Sequence, residues 1–325
     1  MWKLMSNSIL KVENLKKSFQ IAGGLFQKRQ HVNAVIDVSF EIEEGTTFSL
    51  VGESGCGKST TGRLITRLIA PTSGSIVVDG KEVATAKHSD LKHLRQTVQM
   101  IFQDPYASLN PRMKVKELVG EPLEIHTKLS KAEREKLVLE MLEVVGLNAE
   151  QADRYAHEFS GGQRQRLGIA RALITKPKLI IADEPVSALD VSIQSQILNL
   201  LKQLQQEFKI SYLFISHDLS VVEHISHYIG VMYLGTIVEI GRKETIFNDP
   251  KHPYTQALIA SVPIADPTLR KKKKVLIGDI PNPKNPPSGC TFHTRCPLAS
   301  DICKQVIPEM KKMNEEQSVA CHFVN

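Results

Sequence analysis

The run Gly52-Glu53-Ser54-Gly55-Cys56-Gly57-Lys58-Ser59-Thr60 fits G-x-x-x-x-G-K-[ST], a spacing that can cradle phosphate. Its glycines let successive backbone N–H groups curl around phosphate oxygens. A helix starting there adds partial positive charge. Lys58 would reach the outer phosphates, and the Ser59 hydroxyl would hold magnesium. A second group ends the apolar run of residues 179–182 with Asp183 and Glu184. Asp183 would hold magnesium directly or through water, and Glu184 is placed to polarise a water attacking the γ-phosphate. A third run, Phe159-Ser160-Gly161-Gly162-Gln163-Arg164, puts a Ser and two Gly at a helix start, which makes a second anion cradle.

These groups need elements to hold them. Residues 48–51 read as a strand before the first cradle. Residues 61–69 read as a helix after it, with Leu64, Ile65 and Leu68 on one face. Residues 9–12, 34–42, 46–51 and 75–80 read as strands, and 22–29 as an exposed loop. From 104 to 146 the chain turns helical, with a capping box from Ser130 to Glu133 and a stop at Gly146. The near-continuously apolar runs 179–182 and 212–215 suit a parallel sheet buried on both faces. Between them Asp190 is expected to cap a helix carrying Ile193, Ile197, Leu200, Leu201, Leu204 and Phe208. Strands alternating with helices make an α/β domain.

The 325 residues allow one large domain and a small one, and a hydrophobic fraction of 42% suffices for a core. Lys plus Arg total 41 against 35 Asp plus Glu, a net charge of +6. That suits nucleotides or an anionic membrane surface. No apolar run nears the ~20 residues that span a bilayer, and the first residues lack a signal peptide's apolar stretch. A cytosolic chain is expected, with any membrane role needing a spanning partner. Four of the five cysteines fall at the end: Cys290, Cys296, Cys303 and Cys321, spaced C-x₅-C-x₆-C-x₁₇-C. A reducing cytosol disfavours disulfides there. Four thiolates suit zinc or an iron–sulfur cluster, with His293 and His322 as alternative zinc ligands. A basic run at 270–274 and a Pro-rich stiff linker at 281–287 precede them.

Taken in order, these motifs resemble the nucleotide-binding subunits of ABC transporters over about residues 9–265. The resemblance implies a P-loop NTPase with a RecA-like core, an antiparallel β subdomain and a helical subdomain at about 104–170. Phe19 resembles the aromatic that stacks on adenine. Residues 52–60 are the Walker A loop, and Gln103 is the Q-loop glutamine, also a magnesium contact. Ser160, Gly161, Gly162 and Gln163 form the signature, with Phe159 for the commoner Leu. Residues 179–183 are Walker B, followed by the catalytic Glu184. Residues 187–190 are the D-loop, ending at Asp190, and His217 is the switch histidine, expected on the γ-phosphate. Two such domains would meet head to tail, the Walker A loop of one and the signature of the other enclosing Mg·ATP.

Residues 51–63, 103–112 and 252–258 are similar to the oligopeptide/dipeptide importer ATPases, most like the second, F-type subunit. That resemblance implies a second homologous ATPase as heterodimer partner, two transmembrane permeases and an extracytoplasmic peptide-binding protein reached through them. It implies a place on the cytoplasmic face of the membrane and no nucleic-acid partner. Close relatives import nickel chelates or glutathione. Tyr106, Leu109 and Met113 are a candidate surface for a permease coupling helix. The subfamily carries a cysteine tail, here a small C-terminal domain at 266–325, which favours [4Fe–4S] over Zn2+. A soluble ABC ATPase of translation or DNA repair fits less well. The chain carries one cassette, and about 100 residues, without heptads, separate Lys58 from Ser160.

Overall fold

Short apolar runs bounded by turns become the central strands of the computed structural model, which describes residues 8–21, 30–87, 90–262 and 278–324. Its strands are β1 (Ser8–Ile21), β2 (Gln30–Glu43), β3 (Thr47–Val51), β4 (Ser73–Val78), β5 (Lys81–Glu82) and β6 (Val98–Ile101). They continue with β7 (Leu179–Asp183), β8 (Ser211–Ser216), β9 (Tyr228–Tyr233), β10 (Thr236–Arg242), β11 (Lys311–Lys312) and β12 (Gln317–Val319). Their order is β5-β4-β1-β2-β10-β9-β3-β8-β7-β6. The segment β9-β3-β8-β7-β6 is parallel throughout. The segment β5-β4-β1-β2 is antiparallel and joins the rest through one register pair, Thr236 with Asp37.

Side chains alternate across a strand, and β7 and β8 use this to separate two cores. Ile180, Ala182, Tyr212 and Phe214 face a helical core that includes Leu118, Leu142, Leu167 and Leu201. Leu179, Ile181, Leu213 and Ile215 face the other side, with Leu64, Ile65 and the antiparallel strands. The helical core is built by the helices Val115–His126, Lys131–Val144, Gly161–Leu173 and Val191–Phe208. Ser130 caps the second of these with the reciprocal Glu133 bond the sequence predicts.

Two expectations are corrected by packing. The helix after the first cradle is Lys58–Ile65 and stops there. Arg67 then takes a left-handed φ of 56°, so Leu68 leaves the buried face and is 60% exposed. The first strands are much longer than the apolar runs suggest. β1 and β2 are 14 residues each and pair with several register shifts. Bulges let polar residues sit inside a continuous ladder, which alternation alone does not reveal. The loop at 22–29 and the basic run at 270–274 lie outside the described residues. The Pro-rich stretch 281–287 is free of helix and strand, as expected. Beyond it the tail does not stand apart: β12 pairs antiparallel with β10, Glu239 opposite Val319 and Gly241 opposite Gln317. Among the described residues no helix is long and apolar enough to cross a membrane.

Candidate nucleotide site

The first cradle lies where β3 hands over to the helix Lys58–Ile65. Gly57 takes φ 106°, and a Cβ there would sit 2.3 Å from the Ala34 carbonyl oxygen, so only glycine fits the turn. Ser54 and Gly55 are exposed, whereas Gly52, Cys56 and Lys58 are buried. Lys58 Nζ donates to the Gly52 carbonyl at 2.8 Å and the Glu53 carbonyl at 3.0 Å. Burial pushes the Cys56 thiol up, against the pull of nearby Lys58. It is therefore a neutral wall of the loop.

Ser59 Oγ donates to Asp183 Oδ1 at 2.7 Å, joining the loop to the end of β7. A hydroxyl and a carboxylate side by side are hard oxygen donors that suit magnesium. Burial pushes the Asp183 carboxyl up, against the Ser59 hydrogen bond that lowers it. A cation there would favour the ionised form. Magnesium held by Ser59 and Asp183 would neutralise phosphate charge when bound.

Glu184 turns away from Asp183 through a left-handed backbone, φ 47°, and its N–H donates to the Ile215 carbonyl at 2.9 Å. Its carboxylate is gripped on both oxygens. Gln103 Nε2 donates to Oε2 at 2.8 Å, and His217 Nδ1 lies 3.2 Å from Oε1. The three residues come from the ends of β6, β7 and β8, so the parallel register brings them together. A carboxylate held this way keeps lone pairs free to accept further hydrogen bonds. Gln103, expected on magnesium too, and His217, expected on the γ-phosphate, both meet Glu184 here.

The second cradle is a helix start. Ser160 Oγ accepts from Gln163 N–H at 3.3 Å, and Gln163 Oε1 accepts from Ser160 N–H at 3.0 Å. Phe159 is buried in the helical core, so it replaces Leu as an apolar anchor. A Cβ on Gly162 would meet Ile193 Cγ2 at 2.6 Å, and one on Gly161 would meet Leu189 at 3.5 Å. The signature therefore packs against the D-loop and its helix. Among the described residues it makes no hydrogen bond to residues 52–60. Asp190 holds the N-cap position of the helix Val191–Phe208, but its side chain makes no cap bond and is exposed.

Phe19 is 37% exposed on β1, with Lys17 Nζ 4.9 Å from its ring centre. An exposed ring is available for stacking, though no hydrogen bond ties it to residues 52–60. Of the three candidate docking residues only Tyr106 is exposed, at 62%. Its ring lies 3.4 Å from the Arg164 guanidinium, and its hydroxyl accepts from Arg164. Leu109 and Met113 turn inward, Leu109 being 4% exposed and Met113 half-buried against the same core. Motif reading missed Arg295 and the hydroxyl of Tyr254, which reach the first cradle at Glu53. No local pattern marks a contact spanning 242 residues.

The tail cysteines are free thiols. Burial pushes the thiols of Cys290 (to about 11), Cys296 and Cys321 up, and charge on the neighbouring cysteines adds to it. Among the described residues no set of three or more His, Cys, Asp or Glu side chains is placed to hold a metal. The expected ligands Cys290, Cys296, Cys303 and Cys321 are thus not drawn into a cage. Nor do the alternative zinc ligands join them: His293 Nδ1 sits 2.9 Å from the Cys290 carbonyl and His322 Nε2 2.9 Å from the Val306 carbonyl.

Comparison with known proteins agrees with this site. Residues 35–187 match the ABC transporter family model, and residues 238–303 match the oligopeptide/dipeptide transporter C-terminal region. The oligopeptide transport ATP-binding protein AppF of Bacillus subtilis is 52% identical, covering 97% of both chains. The dipeptide transport ATP-binding protein DppF of Escherichia coli is 49% identical, covering 99% of this chain and 96% of that one. Among solved structures, the dimeric ATP-binding cassette MJ0796 bound to ADP and Pi superposes with a TM-score of 0.65 at 30% identity. That match covers 72% of this chain and 98% of MJ0796. The parallel core, the P-loop, Asp183 with Glu184 and the relatives' near full-length identity converge. The chain belongs to the ATP-binding, ATP-hydrolysing proteins of the ABC transporter family, in its oligopeptide/dipeptide branch.

Proposed function

We propose that this chain powers the import of oligopeptides or dipeptides through a membrane permease, as the second ATPase of a pair. One observation carries the reading. Glu184, Gln103 and His217 meet beside Asp183, which binds Ser59 of the first cradle, while Ser160–Gln163 starts a separate helix that packs against the D-loop helix and, among the described residues, makes no hydrogen bond to residues 52–60. A homologous ATPase would bring its own Walker A loop to that signature and offer its signature here. Closure over Mg·ATP would exclude water other than the attacking one and surround the γ-phosphate with fixed donors. Lys58 and the loop N–H groups would hold phosphate, Phe19 would stack on adenine, and Asp190 would meet the partner. Loss of the γ-phosphate would loosen the pair, a ligand-biased two-state cycle. Residues 1–265 would form the nucleotide-binding domain and 266–325 the tail domain. Two permeases would hold the subunit on the cytoplasmic face, and an extracytoplasmic protein would deliver the peptide.

The four-cysteine content and spacing of the tail support a metal role, with [4Fe–4S] as the first choice and zinc as the second. Binding would have to draw the thiols inward from their present placement. One preparation tests both parts. The chain is purified anaerobically from solubilised membranes with its neighbours. Co-elution of two permeases and a second ATPase, with peptide-dependent ATP turnover, is expected, together with absorbance near 400 nm. Recovery only as a soluble protein on ribosomes or DNA overturns the import reading. A colourless preparation with stoichiometric zinc overturns the cluster alone.

A further inference from the structure

We infer that Arg295, in the cysteine-bearing tail, is a positioning residue for the ATP site that neutralises and fixes Glu53. The inference rests on the ATPase reading of the first cradle and not on the cargo. A carboxylate inside a phosphate-binding loop is unfavourable, because it repels the triphosphate the loop must hold. Arg295 answers that charge with a two-armed contact. Its Nη1 donates to Glu53 Oε2 at 2.6 Å and its Nη2 to Glu53 Oε1 at 3.0 Å. The Arg295 side chain is 6% exposed and that of Glu53 24%, so water screens the pair weakly. The planar guanidinium matches a carboxylate in this geometry as an ammonium cannot.

The contact also sets the loop backbone. Glu53 N–H donates to the Tyr254 hydroxyl at 2.9 Å, and its carbonyl accepts from Lys58 Nζ at 3.0 Å. Side chain, N–H and carbonyl of Glu53 are thus each fixed, and the carbonyl is one of the two rests of the phosphate-binding lysine. The tail end of the contact is equally anchored. Arg295 N–H donates to the Phe292 carbonyl at 3.0 Å. Phe292 is fully buried, with its ring centre 5.2 Å from that of Tyr233 and 5.4 Å from that of Tyr254.

The test measures binding of the fluorescent nucleotide mant-ATP with magnesium to the full chain, with thermal melting in parallel. Arg295→Gln is expected to weaken binding on the order of 10-fold by leaving Glu53 charged and free. Arg295→Lys should lose less, because it keeps the charge and drops one arm. Adding Glu53→Gln to Arg295→Gln should restore binding to within about 3-fold of wild type, since the repelling charge is gone. Should Arg295→Gln fail to fold, the Arg295→Lys loss and its recovery on adding Glu53→Gln decide the matter. Unchanged binding in the single variants overturns the inference. So does a double variant that binds no better than its Arg295 parent, since the loss would then be structural. A wild-type chain that does not bind mant-ATP would instead sink the ATPase reading itself.

Discussion

Around residues 52–60 the strong donors are already engaged within the chain: Lys58 on two loop carbonyls, Ser59 on Asp183 and the Glu53 N–H on Tyr254. At Ser160 the helix start satisfies itself with one reciprocal cap, with Ser160 exposed and residues 161–163 half-buried. Both places could bind an anion at a helix N-terminus. They differ in support. The first is tied by side-chain bonds to a strand end, a tail and a buried tyrosine, and the second rests on its own cap, the D-loop helix and the helical core that holds Phe159. A cradle with that much support can bind nucleotide in the isolated chain. A cradle without such ties contributes when a ligand is brought to it.

Three measurements test this contrast. The largest effect is expected at the first region. Glu184→Gln should cut turnover by roughly 10²–10⁴ while nucleotide still binds, and wild-type hydrolysis in that variant would remove Glu184 from the base role. Next comes the second region. Ser160→Ala removes a cap worth about 1 kcal/mol and should lower turnover of the assembled complex on the order of 10-fold. Affinity of the isolated chain for mant-ATP should not change. A matching loss of that affinity would show that the two cradles are one site within a single chain.

The smallest effect concerns the support beneath the first cradle. His252 is buried and accepts from Tyr254 N–H at 3.1 Å, and burial lowers its imidazole to about 3. The unfolded chain takes up this proton near the ordinary value of about 6.5, whereas the folded chain does not. Stability is therefore full above about 6.5 and falls as the pH drops towards the folded value. Between pH 7 and pH 6 the loss should be about 0.7 kcal/mol. Melting of wild type against His252→Asn, which keeps a cap acceptor, should reveal this as a smaller acid shift in the variant. An identical shift in both would assign the acid sensitivity to other groups.

Much of the site is legible in the sequence because its chemistry is local. Residues 52–60, 160–163 and 183–184 each carry their function within one turn, and glycines with unusual φ leave a signature in the residue types. Motif order singled out Gln103, Glu184 and His217 one by one, but their meeting depends on which strands are neighbours, which neither motif order nor alternation supplied. The Glu53–Arg295 contact had no such aid. A charged pair 242 residues apart leaves no period and no spacing. Leu109 misled for a different reason. Beside the exposed Tyr106 it reads as a surface residue, yet the extended backbone after the short helix Pro105–Ser108 drops it into the helical core.

The pairing of β12 with β10 bears on how the tail can be studied. Cutting the chain ahead of residue 317 would remove the Gln317 amide, which donates to Glu239 Oε1 at 2.7 Å. It would also bare the backbone of residues 239–241 as an open sheet edge. Such an edge recruits strands from other molecules, and a buried carboxylate stripped of a donor is costly. A tailless chain would therefore be prone to aggregate whatever its cysteines bind, so point substitutions at the thiols are the cleaner probe.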